Sequence, residues 1–153
     1  YVDICQTCVG GNTGKTACAE KGISPFIIGQ NAHMPDFSWG RLAQLWDDMD
    51  RANFGMIRIG GKGAMNYAKD YEKVFLQIDG IRSATAEPIL QVPYEYTREQ
   101  VIDYVTHINI TNNKKVKYWA IGNEPLHNKV GDSQFIADYM WRIGSAIKEV
   151  DPY

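Results

Sequence analysis

The chain has 153 residues, of which 44% are hydrophobic and 22% charged, enough for one domain with a buried core and too few for two ordinary ones. Sixteen basic residues against eighteen acidic leave a net charge of −2, which gives no electrostatic footprint for nucleic acid or for an anionic membrane. Apolar runs such as Phe26-Ile27-Ile28 are far too short for a transmembrane helix. The chain opens at Tyr1 with neither an initiator Met nor a signal-peptide pattern, as a processed or trimmed product would. Val150-Asp151-Pro152-Tyr153 reads as a helix handing over to something further, so the chain is expected to be part of a larger architecture.

Residues 1–22 form a Cys- and Gly-rich segment. Cys5, Cys8 and Cys18 all fall within it; an odd number leaves one thiol after any single disulfide, and three pairings stay open. Such clustering in a polar segment suits a local staple in an oxidising compartment. A zinc site lacks a fourth ligand, because the closest histidine, His33, belongs to the next element. Gly11-Asn12-Thr13-Gly14-Lys15-Thr16 imitates a phosphate-cradling loop. The spacing needs Gly at position 9, which is Val9, and neither a strand before nor a helix after is present to aim backbone N–H groups at phosphate.

From residue 23 to 153 the chain becomes regular. Phe26-Ile27-Ile28 is predicted as the first strand, ending in Gly29-Gln30-Asn31-Ala32-His33. Ser38 then caps a helix with Trp39, Leu42, Ala43, Trp46 and Met49 on its apolar face, ending at Asn53-Phe54-Gly55. Met56-Ile57-Arg58-Ile59 is the second strand, closed by Gly60-Gly61. The next helix carries Tyr67, Tyr71, Val74, Phe75 and Ile78 and is predicted to stop near Gly80. Pro88-Ile89-Leu90-Gln91-Val92 is the third strand. Thr97 and Gln100 have capping-box spacing, opening a helix that buries Val101, Tyr104, Val105 and Ile108. Asn112 to Lys115 is the turn out, and Tyr118-Trp119-Ala120-Ile121 is the fourth strand. Asp132 or Ser133 opens a last helix with Ile136, Tyr139, Met140, Ile143 and Ile147 on its buried face.

The strand centres Ile27, Ile57, Ile89 and Trp119 are 30, 32 and 30 residues apart. One strand and one crossover helix per unit predicts a parallel α/β sheet, a (βα)4 unit, with all strand C-terminal ends on one side. Four units make half of an eight-stranded (β/α)8 barrel or a small doubly wound sheet. In either case ligands bind beyond those ends. The rim then collects Gln30, Asn31 and His33; Arg58; Tyr94, Glu95 and Tyr96; and Asn123, Glu124 and His127. Rings that stack on sugar faces, beside amides and carboxylates that bind hydroxyls, suit a polyhydroxylated ligand.

Trp119-Ala120-Ile121-Gly122-Asn123-Glu124-Pro125 resembles the fourth-strand motif of the retaining glycoside hydrolases built on (β/α)8 barrels. Ile23 to Asn31 and Arg58-Ile59-Gly60-Gly61 look like the first two strand ends of endoglucanase and arabinofuranosidase families of that clan. The resemblance covers residues 23–153 and implies the N-terminal half of such a barrel. It implies that Glu124 is the general acid/base, that Asn123 binds the sugar 2-hydroxyl, and that Arg58 is the arginine such enzymes carry on strand two. No cofactor is implied, and the expected partner is a β-linked polysaccharide or oligosaccharide met outside the cell or in the periplasm. The clan's nucleophile stands on strand seven. This chain would need the C-terminal half barrel, or a second chain, to complete the site.

Other readings of these residues are a non-catalytic carbohydrate-binding half barrel and a doubly wound domain for a phosphorylated ligand. The second lacks a glycine fingerprint, since Gly60-Gly61-Lys62-Gly63 is not G-x-G-x-x-G. Glu95 reads as a sugar ligand or a partner of Arg98, and His107 as an inert surface residue. Trp39, Trp46 and Trp141 are predicted core residues. Asn109-Ile110-Thr111 matches a glycosylation sequon.

Overall fold

The computed structural model describes residues 24–32, 45–61, 68–124 and 132–152. The three cysteines, the Gly11 to Thr16 loop, the Ser38 cap with Trp39, and Tyr67 lie outside them, as do His33 and His127. The described elements alternate as β1 (Gly29–Ala32), α1 (Trp46–Arg51), β2 (Met56–Ile59), α2 (Tyr71–Ser83), β3 (Glu87–Val92), α3 (Arg98–Val105), β4 (Tyr118–Ile121) and α4 (Ser133–Val150). The four strands form one parallel sheet in the order β1-β2-β3-β4. A doubly wound sheet reverses its order at a switch point; these four strands run in sequence and have none.

Strand alternation separates the two faces of this sheet. Ile57 and Ile59 of β2 and Leu90 and Val92 of β3 point to one face and are at most 2% exposed. Against them pack Val74, Ile78 and Ile81 of α2, Val101, Tyr104 and Val105 of α3, and Tyr139, Ile143 and Ala146 of α4. Full burial of such a side chain contributes about 1.5–3 kcal/mol, so this helix-covered face is where the fold is held. On the other face, Met56, Ile89, Tyr118 and Ala120 are only half-buried, and the Phe26 ring meets Tyr118 there at 5.8 Å.

Local rules account for most boundaries. Thr97 and Gln100 form the reciprocal capping box, with Gln100 N–H donating to Thr97 Oγ1 at 3.3 Å and Thr97 N–H to Gln100 Oε1 at 2.9 Å. Asp132 caps α4 by accepting from Phe135 N–H. Asn53 ends the first helical segment in the left-handed region at φ 55°, as asparagine tolerates.

Several expectations are corrected. Phe26-Ile27-Ile28 is not a strand. Ser24 Oγ accepts from Phe26 N–H, and with Pro25 in the first turn it sets a short 3₁₀ helix over Pro25–Ile27, so β1 starts only at Gly29. A Cβ at Gly29 would lie 2.9 Å from the Met56 carbonyl oxygen, so glycine admits the neighbouring strand. The second predicted helix runs through Gly80 to Ser83, because Ile81 still reaches the core. Helix α3 continues as a π-helical turn over Thr106–Thr111. There Asn109 is 7% exposed, its amide donating to Val116 O and Asp151 and accepting from Val116 N–H, so the sequon asparagine is internal. His107 is not a free surface residue but packs 4.0 Å from the Tyr71 ring and stacks on Phe75. Trp141, predicted in the core, is 77% exposed and Met140 44%. Helix α4 carries more apolar surface than α3 and the sheet cover.

Gly80 is a packing glycine, since a Cβ there would sit 2.2 Å from Trp46 Cε2. Gly80→Ala gains about 1 kcal/mol of helix propensity but overpacks the α1–α2 contact, which costs about 1–3 kcal/mol. Urea denaturation should therefore show a net loss of stability, and a gain would mean that the Trp46 ring moves aside freely.

Burial pushes the Tyr96 hydroxyl up to about 12 and raises Tyr104 as well. Both exceed the unfolded value near 10, so their contribution is intact below pH 10 and is lost as pH rises from about 10 towards 12. Denaturation midpoints should fall across that window, and Tyr96→Phe should flatten the fall.

Candidate functional site

The rim is built from the strand ends upward. Register sets Asn31 of β1 beside Arg58 of β2 and Arg58 beside Ile89 of β3, so all three share the open face. Gln91 follows Ile89 on the same face, one pleat nearer the strand ends. Arg58 Nη2 donates to Gln91 Oε1 at 2.6 Å and to Asn123 Oδ1 at 2.9 Å. Gln91 Oε1 also accepts from Gly61 N–H at 2.7 Å, and its Nε2 donates to Gly61 O at 3.3 Å. The Asn123 amide, held by its oxygen, turns Nδ2 towards Glu124 Oε2 at 3.4 Å. Burial lowers the Arg58 pKa, and the charge of Glu124 opposes that shift.

The turn leaving β4 gives the motif its shape. Gly122 N–H donates to Val92 O at 2.8 Å, which continues the β3–β4 pairing one residue past the strand. Gly122 and Glu124 then both take left-handed backbone, at φ 67° and 43°. A Cβ at Gly122 would lie 3.3 Å from Tyr94 Cβ, so Tyr94 rests on this turn. Its ring is 5.9 Å from Tyr139 of α4, and its carbonyl accepts from Arg142 Nη2 at 3.1 Å. Burial, followed by a hydrogen bond to Glu95, raises the Tyr94 pKa.

Of the predicted residues, Arg58, Asn123 and Glu124 form one connected group, with Asn31 on the same face. Tyr94 borders it and carries Glu95. Gln30 alternates to the opposite face of β1. Tyr96 is corrected: it is 9% exposed and packs edge-on to Tyr104, so it belongs to the core rather than to a sugar platform. Gln91, 4% exposed, was not among the candidates. The signal for it was one long polar side chain inside the apolar run Pro88 to Val92. Below the group, an open hollow of about 360 Å³ is bounded by Phe26, Gln30, Asn31, Met56, Arg58 and Ile89, so Gln30 still borders it from the strand edge. Among the described residues no cluster of three or more His, Cys, Asp or Glu side chains could hold a metal ion. Among the described residues no helix is long and apolar enough to cross a membrane.

The group offers an exposed carboxylate, a nearby amide donor and a fixed cation on one rim, an arrangement suited to proton transfer beside a hydroxylated ligand. No protein-family model, curated protein or solved structure matches the chain.

The two motif residues differ in what they hold. Asn123 is 9% exposed and accepts from a half-buried guanidinium, whereas Glu124 is exposed and carries left-handed backbone, a conformation that favours Asn over Glu. Asn123→Ala should cost about 1–3 kcal/mol in urea denaturation. Glu124→Asn should leave stability unchanged or raise it by up to about 1 kcal/mol. An equal loss from both would identify Glu124 as a structural ion-pair partner.

Proposed function

We propose that this chain is the acid/base-bearing half of a retaining glycoside hydrolase that acts on a β-linked polysaccharide outside the cell or in the periplasm. The observation that carries this reading is the bonded group Arg58–Gln91–Asn123–Glu124, at the C-terminal ends of three consecutive parallel strands. Active sites of (β/α)8 enzymes gather at that end. The resemblance of Trp119 to Pro125 to the fourth-strand motif falls on the same residues. The sequential strand order, the packing of the described helices α2, α3 and α4 on one face, the half-buried apolar open face and the exposed Met140–Trp141 flank of α4 all favour a half barrel closed by further βα units.

In this reading Glu124 protonates the glycosidic oxygen as the bond to the leaving sugar breaks, and a carboxylate on the other half barrel attacks the anomeric carbon. Glu124 then takes a proton from the incoming water, which releases the sugar with β configuration retained. Asn123 Nδ2 can donate to the sugar 2-hydroxyl while Oδ1 accepts from Arg58. Arg58 supplies a fixed positive charge beside the carboxylate.

The test is Glu124→Gln in the full-length protein, assayed on soluble β-glucans, xylans and β-mannans. The variant keeps shape but has no transferable proton, so turnover should fall by about 10²–10⁴-fold. A dinitrophenyl glycoside, whose leaving group needs no proton, should still glycosylate the enzyme. Azide should then rescue the second step and yield a β-glycosyl azide. Unchanged turnover of polysaccharide would overturn the acid/base assignment and favour a non-catalytic carbohydrate-binding half barrel.

A further inference from the structure

We propose that Gln91 is a positioning residue for Glu124. Its neutral amide holds the Arg58 guanidinium against Asn123 and ties the Gly60-Gly61 turn to the same three strand ends. The inference rests on the proposed acid/base role of Glu124 and goes beyond it, since Gln91 does not touch the carboxylate.

The geometry is specific to an uncharged, bifunctional side chain. Gln91 Oε1 accepts two hydrogen bonds, from Arg58 Nη2 and Gly61 N–H, while Nε2 donates back to Gly61 O. A methionine would fill the space and satisfy none of these groups. A glutamate would accept from Arg58 and Gly61 N–H but could not donate to Gly61 O when ionised. Space is equally constrained: a Cβ at Gly60 would lie 2.6 Å from Arg58 Nε and 2.7 Å from Gln91 Oε1. Arg58, Gln91 and the glycine turn therefore form one packed unit.

Because Gln91 is neutral, it orients Arg58 without drawing on its charge. A carboxylate at position 91 would pair with Arg58 and offset its pull on Glu124. Among the described residues, titratable groups at this end of the sheet include Tyr94, Glu95 and Tyr96, from the segment after β3, with Lys69 over the Tyr96 ring, and Tyr139 with Arg142, from α4. Substitution at position 91 leaves these in place.

The test uses Gln91→Met and Gln91→Glu in the full-length protein, read by ¹⁵N relaxation and proton exchange at Arg58 Nε and by kinetics. Gln91→Met should free the guanidinium to move and exchange like an exposed arginine. It should lower kcat about tenfold on the polysaccharide cleaved by the parent protein, with KM changed less than twofold, and spare glycosylation by the dinitrophenyl glycoside. A merely structural role would lower both substrates alike through the folded fraction. Gln91→Glu keeps the acceptor for Arg58 and is the variant to read if Gln91→Met fails to fold. It should move the alkaline limb of the kcat/KM profile to higher pH by about one pH unit. Ordered Arg58 in folded Gln91→Met, or an unmoved alkaline limb in Gln91→Glu, would overturn the inference. Where Glu124→Gln is inactive and the Gln91 variants behave as the parent, only the positioning role fails. Full activity of Glu124→Gln would instead overturn the acid/base reading on which it rests.

Discussion

A guanidinium taken partly out of water must find acceptors, and Arg58 finds them on two strands and a turn at once. It stands on β2 and bonds to Gln91 of β3 and to Asn123 just past β4. Gln91 in turn closes the segment that leaves β2 at Gly61. Removing an acceptor from such a half-buried charge costs more than breaking a surface ion pair. The requirement fixes the positions of three strand ends relative to one another. It also explains the glycine at position 60, where any side chain would collide with Arg58 and Gln91.

The consequence appears at the end of β4. With Asn123 held by its oxygen and Gly122 bonded to Val92, the chain reaches Glu124 through left-handed backbone at both Gly122 and Glu124. Glycine takes this conformation without cost, whereas a glutamate does so at about 1–2 kcal/mol. Strain of this kind persists where surroundings over-determine it, and it collects at functional positions. Here it presents an exposed carboxylate next to a fixed amide donor and a fixed cation.

The sheet is asymmetric in a way that bears on the same site. One face is sealed by α2, α3 and α4 around Ile57, Ile59, Leu90 and Val92. The other leaves Met56, Ile89 and Tyr118 half-buried beside the hollow under Arg58. An apolar surface of that kind is a poor neighbour for water. In the proposed closed barrel it would form part of the interior, where side chains fill the space in layers.

The order of elements, the three later strands and the caps at Thr97 and Asp132 were legible in the residues themselves, because they follow from short-range rules. The period of about 30 residues, the capping box at Thr97 and Gln100, and the Asp132 cap need only neighbours a few positions away. The apolar run at Phe26 misled for a local reason as well: Ser24 and Pro25 favour a 3₁₀ turn over an extended start. Arg58, Asn123 and Glu124 were legible as candidates by type and motif. By itself, then, the sequence determined a repeated strand-and-helix unit and the rim on which its polar residues collect. Only the tertiary structure decided that Gln91 belongs to the site, that Tyr96 and Asn109 are internal, that Trp141 is exposed, and that Gly80 makes room for a ring. Each of these depends on a contact or a cover supplied by a residue far along the chain, and local periodicity carries no information about which distant groups will meet.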